Sequence, residues 1–408
     1  MDKMNVVILS IGDELLSGNT VNTNFSWIAR KLSDIGCSIT YQATAPDSRP
    51  SIVNSLDRLL TMAPDMIITT GGLGPTSDDI TRKTIFDYLS VSETFDESYW
   101  SRLKNKFHQM GIQISESNRS QAMVPDKGSI INNPLGSARG FHLKHNKISL
   151  IILPGVPREM KHMINDYIIP IINKYQTKKN YTAIIRTTGI SESKIFEMTE
   201  ATITHNSNAA IGYYPSYNGV DIRLKSDDKN LVNDMKSDII NVLNKKVFYS
   251  ESEKSIEQIV VDIAIEKNKK IAVAESCTGG LIGHRITQVP GSSKIFLGGF
   301  IVYSNYLKEK ILGVNRLILE RSGAVSKETA EEMAKNILKK TGADLGLSVT
   351  GIAGPGGGTD EKPVGTVFIG VADKNNTLVT KRNFINDREI NKLKTSQLAL
   401  NELRMRIV

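Results

Sequence analysis

Lys270-Ile271-Ala272-Val273-Ala274-Glu275-Ser276-Cys277-Thr278-Gly279-Gly280 opens on an apolar run and ends on two glycines, with an apolar-periodic segment beyond them. This order predicts a strand over Ile271–Ala274, a tight turn, and a helix start. Strand, turn and helix in succession make the repeating unit of a parallel α/β sheet, whose strand ends carry ligands. The turn presents a hydroxyl at Ser276 and a thiol at Cys277. Ser276 reads either as the cap of the coming helix, serine's commonest job at such a place, or as a nucleophile. Tyr303-Ser304-Asn305-Tyr306-Leu307-Lys308 follows soon after and supplies the other parts of a Ser/Lys amidase. Lys308 also has a plainer reading as a surface helix lysine paired with a carboxylate. Cys277 competes with Ser276, because a thiol is the better intrinsic nucleophile and a helix start lowers its pKa.

Outward from this turn, the last block begins at Ser255, with Gln258 three residues on and an apolar-periodic run to Ala264, a capping-box signature. Leu345–Thr350 and Thr366–Val371 read as further strands, and Ala330, Met333, Ala334, Ile337 and Leu338 lie at helical spacing. The region from about Asn173 to Glu253 has a different pattern. Strands are expected over Tyr181–Thr187, Ala209–Tyr213 and Gly219–Leu224, with helices over Glu192–Thr202 and Leu231–Leu243.

The amino-terminal region to about Pro170 again alternates strand-like and helix-like runs, the pattern of a parallel sheet. Strands fall at Asn5–Ile11, Asp65–Thr70 and Ile148–Leu153. One helix carries Phe25, Ile28, Ala29, Leu32 and Ile35 and stops at Gly36, and another carries Ile52, Val53, Leu56, Leu59 and Leu60. Pro157 suits the first turn of a helix. Thr70-Gly71-Gly72-Leu73-Gly74-Pro75-Thr76-Ser77-Asp78-Asp79 follows the second strand and is not a G-x-G-x-x-G dinucleotide fingerprint, so a redox reading fails.

The whole chain has 408 residues, enough for two or three domains, each with its own core. Hydrophobic residues make up 40% and charged residues 23%, ordinary for a globular protein. The 51 basic and 43 acidic side chains leave +8. The lysines are scattered, and pairs such as Lys178-Lys179, Lys245-Lys246, Lys269-Lys270 and Lys339-Lys340 fall at helix ends or loops, which points away from nucleic acid. Cys37 and Cys277 lack metal-type spacing, and two unpaired thiols suit a reducing cytosol. Val6-Val7-Ile8-Leu9 is too short for a signal segment, and no apolar stretch approaches the roughly 20 residues of a membrane span. A cytoplasmic protein is expected.

Three blocks, ESCTGG at Glu275–Gly280, GSSKIFLGGFIVYSNYLKEKILGV at Gly291–Val314 and SVTGIAGPGGGTDEKPVGTVFIGVA at Ser348–Ala372, resemble the nicotinamide-nucleotide amidase domain of the CinA (competence-damage inducible) family. Gly12–Gly18, Asn22-Thr23-Asn24, Thr70–Asp79 and Leu153–Pro157 resemble its other domain, which is similar to molybdopterin-binding folds. The resemblance implies a molybdopterin-binding-like parallel-sheet α/β domain over 1–170, a small KH-like α+β linker over 171–253, and an α/β amidase domain over 254–408. The linker has no G-x-x-G clamp of RNA-binding modules, so a spacer or dimer contact is expected.

The resemblance implies a bifunctional pyridine-nucleotide recycling enzyme. Its amidase half would deamidate nicotinamide mononucleotide (NMN) with Ser276 as nucleophile, Lys308 as base and Tyr303 relaying protons or orienting the lysine, and without a cofactor. An ordinary lysine, with a pKa near 10.4, is a poor base at neutral pH, so Lys308 must be desolvated or lie near another cation. Thr278, Gly279 and Gly280 are candidates for the oxyanion or a phosphate, Gly354, Gly356 and Gly357 for close backbone approach to the nucleotide, and Arg388 as an anion anchor.

The other half would hydrolyse ADP-ribose to AMP and ribose 5-phosphate with a divalent metal, with or without a monovalent cation. Asn24, Gly71, Gly72, Gly74, Thr76 and Gly155 are its candidate substrate contacts, and Asp13, Glu14, Asp78 and Asp79 its candidate metal ligands. The plainer reading makes one aspartate of each pair a helix cap. Where the family usually has proline, this chain has Arg139, a candidate phosphate contact. A molybdopterin-type ligand and a non-enzymatic role in competence or recombination are the alternatives. A homodimer is implied by the family.

Overall fold

The computed structural model describes residues 3–175, 180–204, 208–385 and 387–408. The Lys178-Lys179 pair lies outside them, as does Asn386. The chain forms two compact units, Met1–Tyr181 and Thr182–Val408.

The first unit is built on a six-stranded sheet in the order Ser38–Ala45, Asn5–Ile11, Met66–Thr70, Ile148–Leu153, Gly140–His145, Ser129–Ile131. The first four strands run parallel, and the last two are antiparallel. The expected parallel sheet is therefore extended by an antiparallel edge. Alternation along Asn5–Ile11 explains the two cores. Val7 and Leu9 pack on one face with Ile52, Leu56, Leu59 and Phe86, and Val6 and Ile8 on the other with Ile28, Leu32 and Met160. Both faces are covered by helices, as a parallel sheet requires. Pro157 occupies the first turn of Pro157–Met163 and Asn22 caps Thr23–Asp34 by accepting from Phe25 N–H at 3.0 Å.

The second unit holds two sheets. The smaller has the order Ala210–Ser216, Gly219–Ser226, Tyr181–Thr187, Phe248–Ser250, with helices Glu192–Thr204 and Lys229–Val242. The larger has the order Phe296–Ile301, Ile271–Glu275, Leu345–Gly351, Thr366–Ala372, Thr377–Asn383, three parallel strands followed by two antiparallel ones. Helix Ile256–Glu266 starts with the capping box, in which Gln258 Oε1 accepts from Ser255 N–H at 2.8 Å and Ser255 Oγ accepts from Gln258 N–H. This helix, Leu281–Thr287 and the C-terminal helix Arg388–Ile407 bury one face with Val260, Ile282 and Leu400. Met333 and Ile337 of Lys327–Thr341 cover Ala272 and Ala274 on the other. Among the described residues no helix is long and apolar enough to cross a membrane.

Candidate active site

Ile271–Glu275 pairs in parallel on both sides, so Ser276 stands at the carboxyl end of an interior strand. The helix after the turn begins only at Leu281, and its cap position is Gly280, in the left-handed region at φ 93°. Ser276 is therefore not the helix cap. Its neighbour Glu275, only 1% exposed, does that work. The Glu275 carboxylate accepts from the N–H groups of Gly280 at 3.0 Å, Ile282 at 3.1 Å and Gly283 at 2.8 Å. A carboxylate so placed complements the helix start and locks the turn. Glycine is favoured at 280 by this positive φ, whereas a Cβ there would meet only the movable Cδ1 of Ile301.

Lys308 reaches this turn from the short helical segment after Ser304, and only 1% of it is exposed. Its Nζ lies 3.0 Å from Ser276 Oγ and donates to the carbonyls of Val302 at 2.9 Å and Tyr303 at 3.2 Å. The surface-lysine reading fails on this burial. Burial also disfavours the charged amine and lowers its pKa from 10.5 to about 8, against the opposing effect of Cys277. Two carbonyls occupy two of the three outward directions on the nitrogen. When the amine is neutral its lone pair is left facing the Ser276 hydroxyl.

Cys277 points the other way. It packs into the apolar core with Ile282, Val349 and Leu398, where burial pushes its thiol up to about 12. Such a thiol stays protonated at neutral pH, which weakens Cys277 as a rival to the Ser276 hydroxyl.

The remaining carboxy-terminal candidates are partly brought together. Tyr303 keeps 57% exposure; its carbonyl, not its phenol, meets Lys308. The phenolic oxygen instead accepts from Arg388 Nη2 at 2.9 Å, and Arg388 Nη1 donates to Gly354 O at 2.7 Å. The proton-relay reading of Tyr303 has no contact to support it. Gly279 N–H donates to Ser276 O and Gly280 N–H to Glu275, which leaves neither free for an oxyanion. Among the described residues, the N–H of Thr278 has no protein acceptor, and that of Cys277 meets only its own sulfur. Gly356 faces open space, and Gly357 approaches Ile352. Lys392 went unnoticed in the sequence, yet a Cβ on Gly279 would stand 3.9 Å from its Nζ. Its spacing of four from Arg388 was the readable signal, because i and i+4 share a helix face.

In the first unit, most of the amino-terminal candidates line a cavity of about 450 Å³ with Asn22, Gln121 and Glu159. Asn24 Nδ2 donates to Gly155 O at 2.7 Å, and its Oδ1 is buried without a partner. Gly71 is required by close approach, since its Cβ would fall 2.0 Å from Ile11 O. Thr76 is not free to hold phosphate: its N–H and hydroxyl donate to Asp79 at 2.9 and 2.5 Å. Asp79 thereby closes the glycine loop and caps no helix. Asp13 Oδ1 accepts from Asp47 N–H at 3.3 Å, and Asp47 Oδ2 accepts from Asp13 N–H at 3.0 Å. Asp47, missed in the sequence, has its pKa raised by burial and by the charges of Asp13, Glu14 and Asp78. Among the described residues no group of three or more His, Cys, Asp or Glu forms a metal cage.

Arg139 does not reach this cavity. It is 4% exposed, pairs with Asp96 at 2.8 Å, donates to Ala122 O and stacks on Tyr99 with 3.8 Å to the ring centroid. The expected phosphate contact is thus a packing residue. The Ser98 hydroxyl and the Arg139 guanidinium hold the Asp96 carboxyl well below the usual range.

Fold and site together define an α/β protein of three modules, with a buried serine–lysine pair in the last. The chain belongs to the CinA family. Its residues 253–407 match the CinA C-terminal domain, 182–248 the CinA KH domain, and 7–174 the "Probable molybdopterin binding domain". A relative in Caldicellulosiruptor bescii, named as a competence-damage inducible protein, is 38% identical over 98% of both chains. A CinA-like protein of Dictyoglomus thermophilum is 36% identical over 98% of both. The solved competence/damage inducible protein of Agrobacterium tumefaciens is 38% identical, covering 39% of this chain and 99% of its own, with a TM-score of 0.36.

Proposed function

We propose that the second unit hydrolyses the carboxamide of NMN. The observation that carries this reading is the 3.0 Å approach of a buried, pKa-lowered Lys308 to Ser276. Ser276 Oγ attacks the carboxamide carbon while Lys308 takes its proton. The oxyanion is met by the N–H groups of Cys277 and Thr278. Lys308 returns the proton to the leaving nitrogen and ammonia departs. Water then attacks the acyl-enzyme and releases nicotinate mononucleotide. Arg388 and Lys392, at the start of the C-terminal helix, supply charge for the phosphate. Ammonia release from NMN in the presence of EDTA tests this. Wild type and Cys277→Ala should be active, and Ser276→Ala and Lys308→Ala should lose at least about a thousandfold. An inactive wild type sinks the reading, and loss in Cys277→Ala alone sinks the nucleophile.

We further propose that the first unit hydrolyses ADP-ribose to AMP and ribose 5-phosphate. The support is a cavity of about 450 Å³ at the carboxyl ends of parallel strands, lined by Glu14, Asp47 and Asp78, whose charges repel one another. Glu14, Asp47 and Asp78 line this cavity, and one or two of these carboxylates, with water and substrate phosphate, would hold a divalent ion. Such an ion would neutralise diphosphate charge. Asp79, committed to Thr76, does not fit. AMP formation from ADP-ribose should need added divalent metal and should fall in Asp47→Asn. Tighter binding of molybdopterin than of ADP-ribose would replace this reading with a ligand-binding one.

A further inference from the structure

The cavity of the first unit has two ends of different chemistry. Glu14 and Asp47 follow the neighbouring strands Asn5–Ile11 and Ser38–Ala45, whereas Ser137 lies just before Gly140–His145. Four strand positions separate Ser38–Ala45 from Gly140–His145, about 19 Å at 4.8 Å for each. Among the described residues, no lysine or arginine lines the cavity. Phosphate charge therefore belongs with a cation at the Glu14–Asp47 end. The far end, where Glu159 adds a negative charge, suits a neutral polar group instead.

Three side chains at that end are set to hydrogen-bond such a group. Gln121 is 6% exposed, and its Oε1 accepts from Asn118 Nδ2 at 3.1 Å. Its Nε2 has no partner among the described residues, yet it is not sealed from solvent as Asn24 Oδ1 is. A nearly buried donor is thus left in the cavity wall. Glu159 accepts from Asn133 Nδ2 at 2.6 Å and lies against Gly136, where a Cβ would fall 2.3 Å from its Oε1. Ser137 is tied down by its carbonyl, which accepts from Tyr99 Oη at 2.8 Å, and its hydroxyl stays uncommitted. Asn133 Oδ1 accepts from the N–H groups of Leu135 and Gly136 at 3.1 and 3.0 Å, and Lys106 Nζ donates to Gly136 O at 3.1 Å. The loop is therefore ordered before any ligand arrives, which lowers the cost of binding. One donor, one acceptor and one hydroxyl that can do both match a pair of vicinal hydroxyls, each of which donates and accepts.

We propose that Gln121, Ser137 and Glu159 form the subsite for the terminal ribose and make the first unit specific for a diphosphate that carries a sugar, an inference that rests on the ADP-ribose reading. Gln121 Nε2 donates to one ribose hydroxyl, Glu159 accepts from its neighbour, and the Ser137 hydroxyl completes the pair. Val21 and Val156, both exposed and elsewhere on the wall, leave apolar surface for the base.

The test compares AMP formation by the full-length chain, with added divalent metal, from ADP-ribose and from the terminal methyl ester of ADP. The ester keeps the adenosine and the diphosphate and lacks only the sugar. Wild type should prefer ADP-ribose by about a hundredfold in kcat/KM, about tenfold for each of two hydrogen bonds. Gln121→Leu and Ser137→Ala should each cut that preference about tenfold, whereas Asp47→Asn should lower both substrates alike. Ser137→Ala changes a partly exposed side chain and carries the test should Gln121→Leu fail to fold. A wild type that cleaves neither substrate sinks the ADP-ribose reading and the subsite with it. A wild type that cleaves the methyl ester as fast as ADP-ribose overturns the subsite alone. So does a loss in Ser137→Ala and Gln121→Leu that both substrates share equally.

Discussion

A lysine can serve as a base near neutrality only if its surroundings make the ammonium costly, and at Lys308 burial does so. The proposed amidase rate should therefore follow the neutral amine. kcat/KM should rise about tenfold per pH unit below pH 8 and level off above it. A profile flat from pH 6 to 9 would exclude Lys308 as the base. The same shift has a signed effect on stability. Folding favours the neutral amine, so the stabilising contribution is fully present above 10.5 and is lost as pH falls through about 8. Relative to Lys308→Met, wild type should gain stability on raising the pH from about 8 to 10.5, as chemical denaturation would show. Arg139 makes a different prediction. Removing it leaves Asp96 beside an emptied, buried site, so Arg139→Ala should cost about 3 kcal/mol while ADP-ribose affinity in the folded fraction stays unchanged.

At the scale of the element, the turn between Ile271–Glu275 and Leu281–Thr287 is held by a carboxylate inside the sheet. Glu275→Gln keeps the shape but turns an amide N–H₂ toward backbone donors. A loss of about 2 kcal/mol is expected, with kcat falling more than KM rises because the nucleophile is misplaced. Unchanged kcat would confine Glu275 to stability. Much of this element was legible beforehand. The strand, the glycines, the capping box at Ser255 and the Pro157 helix start are local patterns, and local patterns survive folding. What long-range contacts decide was not legible. Tyr303 meets Lys308 through its backbone carbonyl, a group every residue has, while its phenol bonds Arg388. Arg139 was offered to phosphate because its Asp96 and Tyr99 partners lie about 40 residues away in sequence. The aspartates after the glycine loop were equivalent on paper, and folding brings both to Thr76, with Asp79 accepting from its N–H and hydroxyl. Glu275 carried a signal that went unused, a charge at the end of an otherwise apolar strand.

On the scale of the molecule, each unit has its own core and its own candidate chemistry. The two proposed activities should be separable by mutation. Ser276→Ala should abolish ammonia release and leave AMP formation intact, and Asp47→Asn should do the reverse, both read from one preparation. Loss of both activities in either variant would argue for a single shared site. The burial of Cys277, together with that of Cys37, reaches into cell physiology. Peroxide and electrophiles attack exposed thiolates first and silence hydrolases that depend on them. Here a hydroxyl stands where a thiol could have served, and both thiols are shielded in apolar cores. The proposed amidase would keep its activity through an oxidative burst.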